Sequence, residues 1–256
     1  MLSEQIKQRL REAVTAAVPG LTTSPTARLA PMMLRAIPPT ELEPALGNSV
    51  LDISTTIDQT KAIAGHPGAE AVRLLQAAIL EELARGHPVT PEAIASRTGL
   101  SVTDVTQRLR HAAEWPGLEL DPRGRVLGLG LSLVDTRYQV YLRDRGQVLY
   151  AWCAPDALLL PSRVSRQSRV VSPCFVTSRD VTIELGPAGV EDIYPDDAVL
   201  SFMAVIDPGD MRASGCDHQN LFASPDAAAE WLDGHPGGFV LPLADAHELL
   251  THLRDG

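Results

Sequence analysis

The stretch that most restricts the fold runs from residue 70 to 136. "EAVRLLQAAILEELARG" repeats apolar residues at helical spacing, with Gly86 as a stop. "TPEAIASRTG" then offers Thr90 as an N-cap with Pro91 at the first helical position. "SVTDVTQRLRHAAEW" opens on Ser101, with Asp104 where a capping box places its acid. Helix, short helix, Gly-containing turn and helix make a helix-turn-helix pattern. The following "GLELDPRGRVLGLGLSLVDT" reads as two strand-like runs around Asp121, Pro122, Arg123 and Gly124, which would form a wing. The expectation is a winged-helix-like region.

Such a region raises the question of DNA, and charge answers it. Residues 71 to 136 hold seven arginines, no lysine and eight acids, and the whole chain of 256 residues carries a net charge of −10. That field repels phosphate backbones and anionic lipid surfaces, so no nucleic-acid partner is expected. No run approaches the roughly 18 apolar residues of a membrane helix, and "MLSEQIKQRLREAV" lacks the apolar core of a signal peptide. A cytoplasmic protein without membrane association is expected. In a reducing compartment its three cysteines, Cys153, Cys174 and Cys216, serve packing, metal binding or chemistry rather than a disulfide frame.

Upstream, residues 3 to 17 predict an amphipathic helix (Ile6, Leu10, Val14), after which recurrent Pro and Gly break the pattern. Residues 1–68 therefore read as an N-terminal extension of short helices and loops, residues 69–136 as the winged-helix-like domain, and residues 137–256 as a third region rich in strands. "YQVYL", "QVLYAW", "SRVVSPCFVT", "DVTIELGP" and "VLSFMAVID" predict those strands, and "SPDAAAEWLDGHPG" and "ADAHELLTHL" predict two closing helices. The fold class expected is α+β, with a largely antiparallel sheet and flanking helices following the winged helix.

The chemistry-bearing residues sit in the third region. Cys153 ends a strand-like run and Pro155 opens a helix-like one, which puts the thiol at a helix N-terminus where thiolate is favoured. Asp156, three residues on, shares its face. The pair reads either as a nucleophile beside an acid or as a buried cysteine beside a capping carboxylate. Cys216 lies in the polar, Gly-containing loop "MRASGCDHQNLFAS", a setting that suits chemistry. Cys174, among Val, Pro and Phe, reads as a core residue. No Cys-x-x-Cys knuckle supports a zinc site through the cysteines and His218, and "GLGLS" at 128–132 reads as wing or sheet backbone rather than a nucleotide loop.

As a set, "LYAWCAPDALLLP", "RVVSPCFVT", "DMRASGCDHQNLFAS", "ELARGHPVT" and "GRVLGLGLSL" resemble the organomercurial lyases (alkylmercury lyases), over roughly residues 70 to 255. The resemblance implies carbon–mercury bond cleavage by protonolysis for mercury detoxification, with Cys153, Asp156 and Cys216 catalytic and the mercury of substrate and product on Cys153 and Cys216. It implies a structural role for Cys174. It also implies no cofactor, low-molecular-weight thiols to remove the product, and a mercuric reductase as a possible downstream partner. Family members often carry two adjacent loop cysteines, whereas Asp217 follows Cys216 here, so a relay through a second loop thiol is not expected. A general acid must hold a proton, so Asp156 is expected to be buried in an apolar pocket. The alternative is a non-catalytic, metal-binding or metal-sensing winged-helix regulator.

Overall fold

The computed structural model describes residues 2–23, 28–38, 40–41, 67–113, 118–207 and 211–255. They divide into two compact units: a terminal unit within residues 1–62, 173–181 and 193–256, and a central unit within residues 63–172 and 182–192.

The terminal unit begins with α1 (Glu4–Thr23), β1 (Arg28–Leu29) and α2 (Pro31–Ala36). Ile6, Leu10, Ala13, Val14 and Ala17 form the buried face of α1. The helix runs through Pro19, beyond the break expected after Ala17. The buried stripe is pressed close enough to the later chain that a side chain at Gly237 would meet Ala17 Cβ at 2.9 Å. The Pro/Gly-rich run 42–66, expected to form short pieces, lies outside the described residues.

The central unit opens with α3 (Pro67–Leu83), α4 (Pro91–Thr98) and α5 (Val102–Ala113). Their local signals act as the sequence predicts. Thr90 Oγ1 accepts the Ala93 N–H at 3.2 Å, and Gly99 closes α4 in the left-handed region at φ 74°. Ser101 Oγ accepts the Asp104 N–H at 3.1 Å and donates to Asp104 Oδ2 at 2.6 Å. Leu75, Ile79, Leu80 and Leu83 of α3 meet Ile94, Val105 and Leu109 in one core. Three short strands follow: β2 (Glu119–Leu120), β3 (Val126–Leu129) and β4 (Leu131–Ser132). Asp121 Oδ1 clasps the expected wing turn by accepting the amides of Arg123 and Arg125, each at 2.9 Å.

This wing is continuous with the larger sheet. With β5 (Tyr138–Leu142), β6 (Gln147–Ala151), β7 (Ser168–Pro173), β8 (Asp180–Gly186) and β9 (Gly189–Tyr194), it makes eight strands in the order β2-β3-β4-β6-β5-β7-β8-β9. The pairs β2–β3, β3–β4, β4–β6, β5–β6 and β5–β7 are antiparallel. Tyr138, Val140 and Leu142 point to the core while Gln139 and Tyr141 point out, the period-two pattern of a half-buried strand. Between β6 and β7 stands a short helix, α6 (Ala154–Leu159).

The chain returns to the terminal unit with β10 (Val199–Met203), β11 (Val205–Ile206), α7 (Met211–Ser214), β12 (Leu221–Phe222), α8 (Pro225–Gly234), β13 (Gly238–Pro242) and α9 (Leu243–Asp255). β10 runs antiparallel between β12 and β13 and is buried along almost its whole length. Ser224 caps α8 by accepting the Ala227 N–H at 3.2 Å. Among the described residues no helix is long and apolar enough to cross a membrane. The fold class is α+β, with a helix-turn-helix segment leading into a largely antiparallel sheet and helices flanking it.

Candidate active site

In the central unit β6 delivers the chain to Trp152 and Cys153. Cys153 is the N-cap of α6 in an extended conformation, with Pro155 in the first turn. Proline supplies a preset helical φ and lacks the amide that the ladder would need, so strand gives way to helix at the cysteine. The Cys153 carbonyl accepts the Ala157 N–H at 3.1 Å, which fixes the turn and brings residues 153 and 156 onto one face. The Cys153 thiol is buried and donates to Asp156 Oδ2 at 3.3 Å.

Asp156 as a residue is half-buried, yet protein atoms surround its carboxyl. Desolvation pushes that group up from an ordinary 3.8 to about 6, while the hydrogen bond from Cys153 opposes the rise. A side chain can keep an opening to solvent and still be desolvated at its polar end, because the density of protein atoms around the charge sets the penalty. The carboxyl itself is thus enclosed by protein. As a donor the thiol favours the carboxylate, whereas an ionised sulfur would repel it.

Cys216 belongs to the terminal unit, in a 3-10 turn (Cys216–His218) after α7. The sulfur-bearing residue is half-buried. Its loop is clasped at both ends. Ser214 Oγ accepts the Asp207 N–H at 2.9 Å and donates to the Asp207 carbonyl at 3.0 Å. Buried Ser201 of β10 donates to the His218 carbonyl at 2.6 Å and accepts the Asn220 N–H at 3.0 Å. The His218 ring meets His235 edge-on at 4.9 Å, and His235 stacks on Trp231 at 4.2 Å. Burial, and then the neighbouring His235, hold His218 below the usual imidazole range, although Asp217 pulls the other way.

Cys174, at the end of β7, is buried as its apolar neighbours suggested, but its sulfur sits among donors. Burial pushes the thiol up. Hydrogen bonds from the Thr177 hydroxyl and from the amides of Thr177, Ala223 and Val176 outweigh this and hold it below the ordinary thiol range. The Ala223 amide is remote in the chain, so its donation to Cys174 is not legible in the residue pattern. A serine inside the apolar run of β10 was the one visible hint of the clasp on the Cys216 loop. Among the described residues no cluster of three or more His, Cys, Asp and Glu side chains could hold a metal ion.

The arrangement supplies a thiol bonded to an acid of raised pKa in one unit and a loop thiol in the other. The family model described as "Alkylmercury lyase" matches residues 131–254, and one described as "Helix-turn-helix domain of alkylmercury lyase" matches residues 52–130. The alkylmercury lyase of Bacillus cereus is 37% identical over 200 residues, covering 78% of this chain and 88% of that protein. The Streptomyces lividans enzyme is 37% identical over 196 residues, covering 77% and 89%, and the Pseudomonas putida enzyme is 35% identical over the same length, covering 77% and 89%. The solved structure titled "Crystal structure of the mercury-bound form of MerB2" shares the fold, with a TM-score of 0.62 at 23% identity over 76% of this chain and 95% of that one. On sequence, fold and the thiol–acid pair together, the chain belongs to the alkylmercury lyase family.

Proposed function

We propose that the chain cleaves the carbon–mercury bond of an organomercurial by protonolysis, with Cys153 and Cys216 as the mercury ligands and Asp156 as the proton donor. Mercury is soft and accepts few ligands, so two thiolates suffice. The Cys153–Asp156 hydrogen bond at 3.3 Å is the observation that carries this reading. A carboxyl titrating at about 6 is largely ionised at neutral pH, so it must be recharged before it can act as an acid. When the mercury of R–Hg⁺ bonds to Cys153, the thiol loses its proton, and the nearest acceptor is Asp156 Oδ2. Thiolate from Cys216 then adds electron density to the metal. The carbon–mercury bond breaks with its electron pair remaining on carbon, which takes the Asp156 proton. The products are R–H and mercury(II) on two sulfurs.

This chemistry asks for no cofactor. Small thiols would exchange the product off the protein, and a mercuric reductase would be a fitting next acceptor in a reducing cytoplasm. Membership of the lyase family favours catalysis over a metal-sensing regulator. The test is benzene release from phenylmercury with excess small thiol. Asp156→Asn should bind mercury(II) with wild-type stoichiometry and release no benzene; release at the wild-type rate would remove Asp156 from the mechanism.

A further inference from the structure

Gly130 joins β3 to β4 and is the last residue matched by the helix-turn-helix family model. It lies in the left-handed region at φ +72°, which glycine adopts without strain. A Cβ built there would lie 2.4 Å from Leu160 Cδ1, 3.1 Å from Asp156 Oδ1 and 3.2 Å from Asp156 Cγ. On its other side, the Gly130 carbonyl accepts the Trp152 N–H at 3.0 Å, and Leu131 pairs with Ala151 of β6. The same residue is therefore bonded to the amino acid preceding Cys153 and pressed against the carboxyl that follows.

We propose that Gly130 is a positioning residue for protonolysis: its bare α-carbon leaves the space in which the Asp156 carboxyl rests, and the β3–β4 turn walls that carboxyl from water. The inference rests on the reading of Asp156 as proton donor. It gives the winged-helix segment a task in a chain whose charge does not suit DNA, since the end of its last strand closes the acid's surroundings. Leu160, at 8% exposure, supplies an apolar neighbour at the same spot. A methyl at position 130 would force aside the Leu160 side chain, the carboxyl, or both. These are side-chain ends that can move, so the carboxyl's position is what such a change disturbs.

The experiment compares wild type, Gly130→Ala, Leu160→Ala, the double variant and Asp156→Asn. Each is assayed for benzene release from phenylmercury and for mercury(II) stoichiometry. Gly130→Ala should lower kcat at least tenfold with KM within about twofold and keep the mercury stoichiometry. Leu160→Ala opens the same wall without touching the backbone and should lower kcat with KM and mercury stoichiometry kept. The double variant loses the 2.4 Å contact but keeps those with Asp156 at 3.1 and 3.2 Å, so its kcat should stay below wild type. The proposal is overturned if Gly130→Ala, or Leu160→Ala should the former not fold, keeps wild-type kcat. Asp156→Asn separates the two failures. Wild-type cleavage by that variant sinks the proton-donor reading, whereas an inactive Asp156→Asn beside a wild-type Gly130→Ala sinks only the role of Gly130.

Discussion

Replacing Asp156 by Asn should change how stability depends on pH, and the structure sets the size of the effect. The carboxyl has an ordinary value of 3.8 and titrates at about 6 in the fold, chiefly through desolvation. The folded state thus holds this proton more tightly than the unfolded chain does. The resulting stabilisation is present in full below about pH 4 and is lost as pH rises through 6. At 1.36 kcal/mol per pH unit the fully ionised group costs the folded state up to about 3 kcal/mol. Asparagine keeps the oxygen that accepts the Cys153 thiol, has nearly the same shape and does not ionise. Relative to wild type, Asp156→Asn should therefore gain up to about 3 kcal/mol between pH 4 and pH 8, equivalent to about 6 to 12 °C in melting temperature for a chain of this size. The assay is thermal or urea unfolding of both proteins at half-unit pH steps. Curves for the two proteins that stay parallel from pH 4 to pH 8 would refute the desolvated carboxyl.

Two further outcomes follow from the same structure. Cys174→Ala strips the sulfur from a site where several donors converge and should cost about 1 to 3 kcal/mol in unfolding experiments, whereas Cys174→Ser, which keeps an acceptor, should cost less; folded Cys174→Ser should still release benzene. Thr90→Ala removes the side-chain acceptor at the start of α4 and should lower stability by about 1 kcal/mol, with kcat unchanged in the benzene assay.

What the sequence reveals of this protein is what depends on neighbours within one or two turns. The caps at Thr90, Ser101 and Ser224 and the strand-to-helix switch at Cys153 are local chemistry, and each stands where the residue pattern puts it. The union of wing and main sheet was not legible, because β4 has two residues and its pairing with β6 depends on chain some twenty positions away. The second glycine of "GLGLS", Gly130, reads as sheet backbone until Asp156 and Leu160 are seen against it. α1 likewise continues through Pro19, against a local signal that says stop. Within the site, the proximity of Cys153 and Asp156 was readable from a spacing of three residues in a helical first turn. The raised carboxyl pKa needed the enclosure that only the fold supplies.

The proposed clamp is a single mercury ion held by the sulfurs of Cys153 and Cys216. Mercury X-ray absorption on protein loaded with one equivalent of mercury(II), free of small thiol, tests it directly. Two sulfur neighbours in the wild type, falling to one in both Cys153→Ser and Cys216→Ser, is the predicted result. A two-sulfur signal that survives Cys216→Ser would contradict it.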